Sequence, residues 1–172
     1  MRMRTANTAF LCFIALLAFA GCYSFTGASV PSHLKTIAIP LADDQSGFGE
    51  AGLREKFTTT LTDLFISDNS LEVADRSASD SILETVILPI RDEILSVGAG
   101  AQGSEQVNKR RINMSVKVVF QDMKMRKKVY EKTFSNYGDY DSGGGFAQRQ
   151  LGLEEAMKKI SEDILLETVS GW

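Results

Sequence analysis

The chain is poor in the residues from which reactive sites are usually built. Its 172 residues include one histidine, one tryptophan, three prolines and two cysteines. The one histidine, His33, lies in a polar stretch ahead of the first predicted strand. It reads as a solvated polar side chain, which leaves no base for a Ser-His-Asp arrangement. No cluster of cysteine and histidine exists to hold zinc, and no other metal or cofactor motif stands out. Asp43-Asp44 reads as a turn between strand and helix rather than a carboxylate pair around a cation. The glycines of Gly98–Gly103 lack the helix that must directly follow a dinucleotide-binding turn, because another strand comes next. No apolar run exceeds the eleven residues Ala9–Phe19, too few for a permanent membrane-spanning helix. Basic residues are not in excess: 19 Lys and Arg face 22 Asp and Glu, a formal net charge of −3, which argues against a nucleic-acid partner. The expectation is a protein without catalytic residues, cofactor or metal.

What is present begins at the N-terminus. Arg2 and Arg4 precede the apolar run Ala9–Phe19, and Ala20-Gly21-Cys22 follows it. A short basic region, an apolar segment of this length and small residues before a cysteine form a secretory signal that resembles a bacterial lipobox. In that pattern cleavage falls before the cysteine, and the thiol of Cys22 carries lipid. Residues 1–21 are then a signal peptide, and the mature chain of 151 residues loses Arg2 and Arg4, so its formal charge moves from −3 to −5. Cys12 leaves with the signal, so the mature chain has one cysteine and no internal disulfide. The expected anchor is lipid on Cys22, since acyl chains hold a protein at a membrane in proportion to the CH₂ groups they bury. Tyr23 follows the cysteine where an Asp signals retention at the inner membrane in Gram-negative sorting, and this leans towards the outer membrane. Residues 22–34 read as a lipidated tether.

From Lys35 onward the periodicity describes a single α+β domain, 35–172, without an internal repeat. Ile37, Ile39 and Leu41 alternate as a strand. Leu53, Phe57, Leu61, Leu64 and Phe65 recur on one face of a helix from about Gly49 to Phe65, with Glu50 in its first turn and Asp68-Asn69 at its end. Leu71–Arg76 alternates as a second strand, placed parallel to the first by a crossover through that helix. Ile82–Val97 leans to strand but is interrupted by Pro89, which lacks a ladder donor and marks an edge or a bulge. Ser96–Gln106 reads as a flexible hairpin loop. Ile112, Met114, Val116, Val118 and Phe120 give the clearest strand, and Val129–Phe134 pairs back on it. Asn136–Gly145 reads as a second glycine-rich loop. Leu153, Met157, Ile160 and Ile164 set a final helix from about Phe146 to Val169. The order predicts a two-layer sandwich, with two helices packed on one face of a mixed, mostly antiparallel sheet.

Two basic clusters stand out against the acidic balance. Lys109-Arg110-Arg111 opens the clearest strand, and Lys124, Arg126, Lys127 and Lys128 occupy the turn at its far end. Such charges blunt a sheet edge, or they meet an anionic headgroup or phosphate. The residues alone leave both readings open.

Gly21-Cys22-Tyr23-Ser24-Phe25-Thr26-Gly27 is similar to the mature start of the LptE-type lipopolysaccharide-assembly lipoproteins. So are Pro31–Leu34 ahead of Lys35-Thr36-Ile37-Ala38-Ile39-Pro40, the Leu53–Phe65 helix, the Leu71–Val73 strand, and the order of the long β region and the strand Arg111–Asp122. The resemblance implies an outer-membrane lipoprotein facing the periplasm, with no catalytic residues. Its implied partners are an LptD-type outer-membrane β-barrel, which it plugs and helps assemble, and lipopolysaccharide. The family's lipid handling is attributed to basic residues at a strand–loop end, which by position points to Lys124, Arg126, Lys127 and Lys128. A second resemblance, to secretion-pore and peptidoglycan-synthase-activator lipoproteins of CsgG or LpoB type, rests on the opening strand, the helix and Leu71–Arg76. A pore would require an apolar hairpin, and Ser96–Gln106 with Lys109–Arg111 is too polar for one.

Overall fold

The computed structural model of the chain describes residues 30–99 and 105–172. Within them the order is β1 (Thr36–Ala38), β2 (Asp43–Asp44), α1 (Leu53–Asp68), β3 (Glu72–Val73), β4 (Ser81–Ile87), β5 (Arg91–Ala99), β6 (Glu105–Asp122), β7 (Lys127–Asp141) and α2 (Gly145–Ser170). Strand β6 is the axis of the sheet. Its register with β7 runs from Lys109↔Asp141 to Asp122↔Lys127. Because β7 occupies one edge over that length, β4 and β5 share the other edge end to end: β4 lies opposite Val116–Asp122 and β5 opposite Glu105–Asn113. All three pairings are antiparallel. Beyond β4, β1 and β2 pair with it in parallel, and β3 lies parallel to β1.

The alternation of β6 fixes where the core sits. Ile112, Met114, Val116, Val118 and Phe120 are all buried. They join one cluster with Leu53, Phe57, Leu61 and Phe65 of α1 and with Leu153, Met157, Ile160 and Ile164 of α2. Both helices therefore lie on the face of the sheet to which those five side chains point. This is the two-layer α+β arrangement that the periodicities predict. Pro89 falls in the break between β4 and β5. There the missing amide costs no ladder bond, and Leu88 N–H donates to the Ser115 carbonyl (2.9 Å) to hold register across the gap.

Several local expectations are corrected. Helix α1 starts at Leu53 rather than Gly49, after Gly52 in the left-handed region (φ 73°), so Glu50 precedes the helix. The helix ends as predicted at Asn69, whose own left-handed backbone (φ 59°) caps it. Asp43-Asp44 pairs with Val86-Ile87 as a short strand instead of a plain turn. The largest change is at Asn136–Asp141, predicted as loop and found as the second half of β7. Gly138 there is a packing residue: a Cβ on it would stand 1.9 Å from the Gly152 carbonyl oxygen of α2. The glycine lets helix and strand meet backbone to backbone, so it carries no turn.

Candidate functional site

Residues Met123–Arg126 turn the chain between β6 and β7, with Arg126 in the left-handed region (φ 52°). Asp122, buried at the end of β6, organises this turn. Its Oδ1 accepts the Met125 N–H (2.8 Å), a local bond that replaces ladder pairing where the strand ends. Its Oδ2 lies 2.6 Å from His33 Nε2. Burial works against the charged carboxyl, but the bonds from the Met125 amide and His33 outweigh it and hold the group below its ordinary range.

His33 is thus half-buried against an acid rather than solvated. Lys124 completes the clasp, donating to the His33 carbonyl (2.7 Å) and pairing with Asp80 Oδ1 (2.9 Å). Asp80 Oδ2 accepts the Lys35 and Thr36 amides (2.8 and 3.3 Å), so the Lys124 bond and these amides lower its pKa. Leu34 is buried and Val30 packs against the core. The segment leading from the N-terminus is therefore seated at the β6–β7 turn.

The four predicted basic residues are brought together but do different things. Lys124 is engaged in the clasp. Lys128 pairs with Glu131, which Lys117 also holds at 2.6 Å; the two lysines bring that carboxyl down to about 2. Arg126 and Lys127 are exposed, and neither has an ion pair or side-chain hydrogen bond among the described residues. Interleaved with them are Met123 and Met125, 43% and 65% exposed. Behind the turn, Phe120 meets Tyr130 and Trp172 (ring centroids 5.6 and 5.9 Å), and Tyr130 OH bonds Thr168 Oγ1 (2.7 Å). The tip thus stands on a packed aromatic base. Burial pushes the Tyr130 hydroxyl up to about 12. Cys22 lies outside the described residues.

At the other end of β6 the two arginines of the first basic cluster are paired with acids. Arg110 Nε donates to Asp92 Oδ1 (2.8 Å), and Tyr140 OH and Arg149 Nε reach Asp92 Oδ2 (2.8 and 3.3 Å). Burial opposes charge on Asp92, but the Tyr140 and Arg110 bonds more than offset it and lower its pKa. Arg149 also lies 3.7 Å from Glu50 and over the Phe48 ring (4.2 Å). Arg111 forks onto both Asp139 oxygens (2.6 and 2.8 Å) and stacks on Tyr137 (3.6 Å to the centroid). Asp92, Glu50, Tyr140 and Arg149 were not foreseeable as one group, because they come from four segments with no shared spacing. Among the described residues no group of three or more His, Cys, Asp or Glu side chains is placed to hold a metal, and no helix is long and apolar enough to cross a membrane.

The comparisons with known proteins follow the fold closely. The family model LptE, described as Lipopolysaccharide-assembly, matches residues 34–168. No curated protein matches in sequence. Among solved structures, the rare lipoprotein B of Shewanella oneidensis is 13% identical (TM-score 0.51), over 77% of this chain and 92% of that one. Lipoprotein B of Nitrosomonas europaea is 12% identical (TM-score 0.54), over 87% and 90%. The PelC dodecamer of Paraburkholderia phytofirmans is 12% identical (TM-score 0.51), over 84% and 95%. At such identities the likeness is one of fold.

Proposed function

This chain belongs to the LptE lipopolysaccharide-assembly family, and from that premise we propose that it is a non-catalytic, lipid-anchored partner of an LptD-type outer-membrane β-barrel. The observation that carries the proposal is the extent of the family match: residues 34–168 take in every strand of the described residues, all of α1 and all but the last two residues of α2. In this reading residues 1–21 are removed and Cys22 carries lipid. The domain faces the periplasm from the outer membrane and helps the barrel mature and pass lipopolysaccharide to the surface. The turn's cations are then suited to a phosphorylated lipid headgroup, with Arg126 and Lys127 better placed for it than Lys124 and Lys128, which already hold acids.

Two experiments test this reading. Affinity purification from detergent-solubilised outer membranes, with mass spectrometry of what is recovered, should return a large β-barrel in stoichiometric amount. Recovery of a peptidoglycan synthase, or of a ring of the protein itself, with no barrel, would favour the activator or pore reading instead. Cys22→Ala should release the protein from membranes, and its persistence there through a carbonate wash would overturn the anchor.

A further inference from the structure

We infer that the β6–β7 turn is the end of the domain that lies on the membrane, with Met123 and Met125 entering the interfacial layer and Arg126 and Lys127 on anionic phospholipid headgroups of the leaflet that holds the anchor. The inference rests on the lipidation of Cys22 proposed above and names the phospholipid of the anchoring leaflet as the headgroup that Arg126 and Lys127 meet.

The first argument is reach. The chain from Cys22 to Val30 spans at most about 29 Å even when fully extended. It does not enter the domain at an arbitrary point. His33 is clasped to Asp122 and Lys124 at the foot of the turn, and Leu34 is buried beside them. Strand β6 runs the length of the sheet from that point, and its eighteen residues extend about 60 Å at ~3.3 Å each. A tether half that length, fastened at the turn, keeps the turn within its reach of the bilayer and sets no such limit on the β5–β6 end.

The second argument is chemistry. A mature chain of formal charge −5 is on balance repelled by an anionic surface, so the part that approaches one has to be locally basic. The turn is such a part. Its two unengaged cations, Arg126 and Lys127, directly follow Met123 and Met125, two methionines that the fold leaves exposed although a buried core is available elsewhere. Flexible apolar side chains flanked by Arg and Lys suit the boundary between headgroups and acyl chains, where the stems lie in the apolar layer and the charges stay among phosphates. The turn is also stiff enough to be pressed into a surface. Asp122, Lys124 and the aromatic base hold it, so little order has to be acquired on contact.

The test uses the full lipidated protein in vesicles. Met125→Cys and, separately, Val97→Cys provide single attachment points for an environment-sensitive fluorophore, since lipid blocks the Cys22 thiol. Val97 is exposed on β5 and pairs with Val107, near the opposite end of β6. In phosphatidylcholine vesicles containing phosphatidylglycerol, a quencher attached to the lipid chains should quench the label at 125 severalfold more than the label at 97. Adding Arg126→Glu with Lys127→Glu should abolish that difference. Equal quenching at the two positions overturns the inference while leaving the anchor and the barrel partnership standing. Quenching at 125 that requires lipopolysaccharide in the vesicle and is absent with phosphatidylglycerol also overturns it, and returns the turn to lipopolysaccharide handling. A protein that carries no lipid and does not stay with vesicles overturns both the inference and the anchor it rests on.

Discussion

The two ends of β6 carry basic clusters of similar composition and opposite fate. Around Lys109–Arg111, acids arrive from β5 and β7: Asp92 binds Arg110, and Asp139 binds Arg111. At the β6–β7 turn the acids serve only some of the cations. Asp80 and Glu131 take Lys124 and Lys128 and leave Arg126 and Lys127 to solvent. A basic run in a sequence is therefore not yet a basic surface. What decides is which acid comes within reach, and register alone does not give it. Arg111 meets the Asp139 opposite it. Arg110 takes Asp92, two positions from its opposite residue Ile94. Lys127 stays unpaired among the described residues, although Asp122 lies opposite.

The comparison is broken most forcefully at its closed end. Asp92→Ala leaves Arg110, Arg149 and Tyr140 without the oxygens they share, and is expected to cost about 3 kcal/mol in urea unfolding. If that midpoint does not move, the cluster is a surface ornament and the contrast between the ends fails. Asp122→Ala acts on the open end and should cost less, about 2 kcal/mol, because it removes one buried acceptor with two partners. Its sharper signature is local: faster amide exchange over residues 33–36. The same clasp sets a pH dependence. The folded Asp122 carboxyl titrates below its unfolded value, so on acidification the unfolded chain binds the proton first. The clasp's contribution is complete above about pH 4 and fades as pH falls through the lower folded value. Exchange at residues 33–36 that is already fast at neutral pH would contradict this.

The legibility of the sequence follows the same line. Elements defined by side-chain period were readable: the five alternating residues of β6, the Leu53–Phe65 stripe and the Leu153–Ile164 stripe are all buried as predicted, apart from Leu64 at the edge of its stripe. Asn69 was readable as a stop because few residues accept a left-handed backbone. The end of β7 was not. Asn136-Tyr137-Gly138-Asp139-Tyr140-Asp141 has loop composition, and its key residues are explained only by something distant: Gly138 by α2, Asp139 by Arg111, Tyr140 by Asp92. His33 was misjudged for the same reason, since its partner lies 89 positions away. The basic turn was visible as four charges. Which of them were already engaged depended on Asp80 and Glu131, and spacing does not give that.

The smaller effects sharpen the comparison instead of breaking it. Arg126→Ala with Lys127→Ala should leave stability within about 0.5 kcal/mol, since neither side chain has a partner to lose among the described residues. A large loss would show that the tip is as firmly paired as the closed end. Glu131 is the finest probe, because it is exposed and still held to about 2 by Lys117 and Lys128. A carboxyl in water is shifted that far only while both ammonium groups stay within bonding distance, and salt screens such pairs. Its titration, followed by NMR, should therefore rise towards the ordinary glutamate value in high salt, and rise further in Lys117→Ala with Lys128→Ala. A midpoint that is ordinary from the start would mean that Lys128 is not held by Glu131 and stands with Arg126 and Lys127, which would enlarge the free cationic tip from two residues to three.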